Sequence, residues 1–221
     1  MLCGSQINWV ATGQMLTGLG TWAGAAALLI AAIIGRSAAS DFREQKVEAR
    51  KIEHAEAALS AAYRIRDALH VIRSPLSTGA ENADARQEME KFDWFKNKDD
   101  EEQSRIVQAN VFYQRIRRYD DDFQSAIEML PFLKAYFGDV EEEALRDLIR
   151  ARNAVRIYAE SFAQRVYSDR DIQLKIESYI WEGAMPGQED PIALRVSNSI
   201  VILEKSLLPI VRNVKENAAV K

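Results

Sequence analysis

The chain has 221 residues, of which 29 are basic and 33 acidic, for a formal net charge of −4. That balance leaves no general footprint for nucleic acid, the single cysteine (Cys3) excludes an intramolecular disulfide and a cysteine-based zinc site, and two histidines (His54, His70) exclude a histidine-rich metal site. The length sets one domain as the default, and no repeat period or low-complexity tract interrupts it.

No Lys, Arg, Asp or Glu occurs before Arg36. Within that stretch residues 15–35 form an apolar run of 21 residues, which as a helix covers about 30 Å, the thickness of a bilayer's hydrocarbon core. The run predicts one transmembrane helix, preceded by a short uncharged segment over 1–14. A cleaved signal peptide would need a basic segment ahead of it, and an interfacial helix would need a charged face; neither is present. Basic residues follow the span (Arg36, Arg43, Lys46, Arg50, Lys51) and none precedes it, which predicts the N-terminus outside and the C-terminal domain in the cytoplasm of a single-pass plasma (inner) membrane protein. Trp9 fits the outer aromatic belt. Gly20 and Gly24 form a GxxxG, and Ala23, Ala27, Ala31 and Gly35 continue a row of small residues, a surface through which membrane helices associate.

Residues 36–215 predict a cytoplasmic helical bundle, with 216–221 a frayed tail. The first helix covers 37–73, because Ile52, Ala55, Leu59, Ala62, Ile65, Leu69 and Ile72 recur at steps of three and four. Its spacing drifts toward 3.6, favouring a core face over a parallel coiled-coil seam. Residues 74–79 make a loop, 84–91 a short helix, and Phe92, Trp94 and Phe95 an aromatic cap over the bundle. A second long helix is predicted over 100–130, interrupted by Pro131 and followed by one or two turns that Gly138 stops. A third starts at Asp139, with Glu142 completing a capping box. Residues 169–181 read as a shorter helix. Asp190 as N-cap and Pro191 in the first turn open the last helix, which Pro209 should kink. The expected fold is therefore all-α: one N-terminal transmembrane helix, then an antiparallel bundle of four long helices and two or three short ones.

Chemistry-bearing motifs are sparse. The chain has no glycine-rich phosphate loop, no HExxH and no GxSxG, and nothing in it calls for a cofactor or a metal or identifies a small-molecule substrate. Asp120–Asp122 and Glu141–Glu143 are runs of consecutive carboxylates, which on a helix point about 100° apart and do not converge on one ion. Arg115, Arg117 and Arg118, and then Arg146, Arg150, Arg152 and Arg156, read as solvated, ion-paired faces, with docking of an acidic partner or anionic headgroups as the minority reading.

One stretch, from Arg64 to His70, resembles the Arg-x4–6-His signature of the HEPN ribonucleases, which are also small helical bundles. Here the motif falls in the first helix after the span, and Ile65 stands where that family usually has a polar residue. The resemblance implies a membrane-tethered ribonuclease with Arg64 and His70 as catalytic residues. The leading expectation is different: a non-enzymatic scaffold or regulatory module that sits in the lipid bilayer and binds a protein partner or a second copy of itself. An oligomeric pore assembled through the small-residue span is a further alternative.

Overall fold

The computed structural model describes the backbone of residues 9–164, 169–183 and 189–219, and side chains at 36, 42–164, 169–183 and 189–212. Among the described residues it has eight helices and no strand: α1 (Trp9–Ile72), α2 (Gly79–Met89), α3 (Asp93–Lys96), α4 (Asp100–Arg118), α5 (Asp120–Tyr136), α6 (Asp139–Gln164), α7 (Arg170–Ile180) and α8 (Pro191–Ala219). The chain divides into two units, Met1–Arg50 and Lys51–Lys221.

In the first unit the backbone is helical from Trp9 onward, and each residue from 42 to 50 is exposed, Phe42 and Val47 among them. Among the described residues no helix is long and apolar enough to cross a membrane. The side chains of the predicted span 15–35, with Gly20, Gly24, Ala23, Ala27, Ala31 and Gly35, lie outside the described residues, as do the segment 1–8 and the side chains of the C-terminal tail.

The second unit is a helical bundle. The predicted α1 stripe is its spine: Ala55, Leu59, Ala62, Ile65, Leu69 and Ile72 are all buried, and Ala58, Ala61 and Ala68 widen the buried arc. Alanines on that arc let neighbouring backbones come close. On one side α5 runs antiparallel to α1: His54 stacks on Phe132 at 4.5 Å, and ten residues along, Arg64 Nε meets Asp122 Oδ1 at 3.0 Å. On the other side α8 runs antiparallel too, with Tyr63 Oη donating to Glu204 at 2.7 Å and Arg73 reaching Asp190. The core is completed by α6, which packs against α4, α5, α7 and α8 and buries Leu145, Leu148, Ala151 and Val155. A smaller apolar cluster of Ala85, Phe95, Val107 and Val111 lies under α2 to α4.

Four local expectations need correction. The helix expected over 100–130 is two, broken at Tyr119. The last turn of α4 carries Arg115, Arg117 and Arg118, and the first turn of α5 carries Asp120, Asp121 and Asp122. Each charge group favours its helix end through the dipole, so the sequence places a C-terminus against an N-terminus. Pro131 does not interrupt: α5 runs through it to Tyr136. Pro131 and Ile127 are both exposed, so the Ile127 carbonyl that loses its amide partner lies on the solvated face. The short second helix begins at Gly79, not 84, because Thr78 and Glu81 form a reciprocal capping box. Asp139 is the first residue of α6 and not its cap; its carboxylate meets Lys134 Nζ at 3.0 Å across the α5–α6 turn. That turn reverses through Gly138 at φ 119°, a conformation costly for any residue with a Cβ.

The shorter helix expected over 169–181 and the helix start expected at Asp190 are both present. Asp169 caps α7 by accepting from Asp171 N, Asp190 caps α8, and α8 continues past Pro209. Phe95 is fully buried while Phe92 and Trp94 stay about half exposed, so the aromatic group caps the smaller apolar cluster and not the main core.

Candidate functional site: the α1–α8 cleft

The last two turns of α1 and the first turns of α8 line a cleft of about 510 Å³. Its floor is apolar and built at helical spacing, from Leu69 on α1 and Ile192, Val196 and Ile200 on α8. Its rim carries Arg66, Asp67, Glu182 and Glu204, so charges of both signs, together with His70 on α1 and Ser197 and Val201 on α8.

The corner of the cleft is held by Arg73, which is only 2% exposed. Its Nε donates to Tyr179 O at 2.9 Å, and Nη2 lies 3.0 Å from Ser178 O and 3.1 Å from Trp181 O. These carbonyls are at the C-terminus of α7, where backbone acceptors lack helical partners and a cation is favoured. Nη2 also reaches both oxygens of Asp190, at 2.9 and 2.8 Å. Asp190 in turn accepts from Ile192 N and Ala193 N, at 3.0 and 2.9 Å, at the start of α8. One buried ion pair thus joins the ends of α1, α7 and α8. Glu182 N donates to Arg73 O at 2.9 Å, and Glu182 Oε2 lies 2.6 Å from His70 Nδ1 on the rim. At the far end Tyr63 donates to Glu204, and Arg66 sits 5.1 Å from the Tyr63 ring. The hydrogen bond to Glu204, with burial, raises the Tyr63 pKa. An apolar floor with a rigid charged rim suits an amphipathic segment.

The structure does not bring Arg64 and His70 together within one chain. Six residues apart on α1, they turn to different neighbours: Arg64 to Asp122 of α5, His70 to Glu182. Among the described residues no group of three His, Cys, Asp or Glu side chains could hold a metal ion.

Most of the arginine clusters are ion-paired faces: Arg117 with Glu88, Arg146 with Glu142, Arg150 with Glu143 and Asp147, and Arg152 with Asp120. Arg115 is the correction. It is 3% exposed, and each of its five N–H groups has an acceptor. Nε and Nη2 hold Glu81 at 3.0 and 2.9 Å, Nη1 reaches Val71 O and Ser74 O at 3.2 and 2.9 Å, and Nη2 reaches Leu76 O at 2.7 Å. This fork fixes the loop that leaves α1 and the start of α2. Sequence reasoning missed the roles of Arg73, Arg115 and Glu81; the Thr78-x-x-Glu81 spacing was the one local signal for any of them.

Glu81 has a pKa lowered from 4.5 to about 2, chiefly by the hydrogen bonds from Arg115, with burial opposing. Glu88 is lowered to a similar value by Gln114 first, then by Arg117 and Asn110. A carboxylate with a depressed folded pKa contributes stability that is complete above its unfolded pKa and lost as pH falls toward the folded one. Denaturant midpoints are therefore expected to be level above about pH 5 and to fall steadily toward pH 2. Glu81→Gln should lower the midpoint at pH 7 and flatten the acid limb; an acid limb as steep as the wild type's would contradict this.

No protein-family model, no curated protein and no solved structure matches the chain.

Proposed function

We propose that the chain is a single-pass membrane protein whose helical bundle docks a protein partner at the cytoplasmic face of the plasma membrane. The observation that carries this reading is helix α1. It is helical from Trp9 to Ile72, it is uncharged through Gly35, and its residues 42–50 are exposed around the whole circumference. A helix solvated on every side is not core, and a mixed-charge stretch following an apolar run of spanning length is what an anchor and its stalk require. The excess of Lys and Arg after the run supports an outside N-terminus. Gly20, Gly24 and the alanine row supply a surface on which two copies of the anchor can pack.

The partner's seat is the α1–α8 cleft. Its floor repeats at helix spacing and Val201 stands 57% exposed on its edge. A photo-crosslinking amino acid at Ser197 in living cells should give an adduct of one discrete mass, twice the chain's own mass if the partner is a second copy. Val201→Arg should remove that adduct, and the same crosslinker at exposed Gln124 on α5 should not form it. An adduct that survives Val201→Arg, or that Gln124 forms equally, would refute the cleft as the docking face.

A further inference from the structure

A second cleft, remote from the first in sequence and built by other helices, has a different chemistry. It measures about 450 Å³ and lies among α3, α4 and the last turns of α6. Its walls are Met89, Trp94, Ile106, Ala109 and Tyr113, with Glu160 of α6 at its edge. We propose that this cleft binds a small organic cation, a quaternary or protonated amine carrying an apolar body.

Three observations carry the proposal. The first is Trp94, 51% exposed on the wall of the cleft. Its neighbour Phe95 is buried and meets it edge-on at 6.2 Å, so one packed ring supports the indole; Phe92, itself about half exposed, lies at 6.0 Å. An exposed indole of this kind offers a negative ring face to a cation. The second is Glu160. Its carboxylate accepts from Gln164 Nε2 at 3.3 Å and has no Lys or Arg nitrogen in ion-pair range among the described residues. Glu160 nonetheless acts on the Tyr113 phenol, whose ionisation is opposed first by burial and then by that carboxylate. Arg156, one turn earlier, acts on the same phenol in the opposite sense without pairing with Glu160. The third is that the one ammonium on the walls, Lys98, is engaged with Glu102 at 3.4 Å. Among the described residues the cleft thus combines an aromatic wall with a carboxylate that no Lys or Arg pairs, in a volume typical of small-molecule sites. An anion would meet Glu160 and the ring faces unfavourably, and a neutral molecule would leave the carboxylate without a counter-charge.

This reading is independent of the membrane anchor and of docking at the α1–α8 cleft. Its test is isothermal titration calorimetry of the full chain in a non-ionic detergent. The probe is benzyltrimethylammonium, with benzenesulfonate as the counterpart of opposite charge. The expected result is saturable binding of the cation at a Kd below about 1 mM, with no saturable heat from the sulfonate. Trp94→Leu and Glu160→Gln, both at exposed positions, should each weaken the cation by about fivefold or more. Circular dichroism checks that both variants keep the wild-type helix content. Absence of saturation by about 10 mM, equal binding of the two probes, or unchanged affinity in both variants would overturn the proposal.

Discussion

Replacing Arg115 with methionine should destabilise the bundle by about 3–5 kcal/mol, measured by equilibrium urea denaturation at pH 7. The size of the effect follows from what the guanidinium leaves behind. Glu81 would keep a charge in a largely buried position, with only the Thr78 amide and hydroxyl beside it. The carbonyls of Val71, Ser74 and Leu76 would lose their donor as well. Breaking one half of a buried pair costs more than removing both halves, because the remaining charge is uncompensated. Arg115→Met combined with Glu81→Met should therefore be less destabilising than Arg115→Met alone. A cost below about 1 kcal/mol would mean that the guanidinium contributes no more than a surface pair.

Arg73→Met should have a comparable effect, about 3–5 kcal/mol, through a different mechanism. It removes the cation that serves three carbonyls at the end of α7 and the Asp190 carboxylate together. Asp190→Asn keeps an oxygen to cap α8 and loses only the charge, so it should cost less, about 1–2 kcal/mol. Arg73→Lys should not rescue, since a single ammonium cannot reproduce a planar fork that reaches acceptors on two elements. Hydrogen exchange gives the local readout: amides at the end of α7 and in the first turn of α8 should lose protection ahead of α6. Uniform loss of protection across the bundle would instead show that the corner is not a separate unit.

These two arginines also show where sequence reading stops. The α1 stripe from Ala55 to Ile72 was legible because burial on one face of a long helix imposes its period directly on the sequence. The cap at Asp190 was legible because it acts over two or three residues. The break at Tyr119 was written in the switch from Arg115–Arg118 to Asp120–Asp122, but an unbroken apolar period across it masked the signal. Pro131 misled because its cost depends on whether the freed carbonyl faces water, which only the packing decides. Arg115 looks like its neighbours Arg117 and Arg118, and what buries it is Glu81, 34 residues away, together with a loop folded over it. The two clefts are further from view, since each is lined by residues of helices distant in sequence, α1 with α8 and α4 with α6. Trp94 reads in the sequence as packing mass in a cap over the bundle, yet it stands about half exposed in the second cleft, a placement that only the packing of α3, α4 and α6 decides.

The proposed tether holds the bundle to the membrane through the N-terminal helix, with the N-terminus outside. Cys3, the single thiol of the chain, lies on the far side of the predicted span from the bundle. Cells whose outer barrier has been opened are treated with a membrane-impermeant maleimide, and labelling of Cys3 is compared before and after lysis. An outside N-terminus gives full labelling before lysis. Labelling of the intact protein only after lysis would contradict it and place Cys3 on the cytoplasmic side.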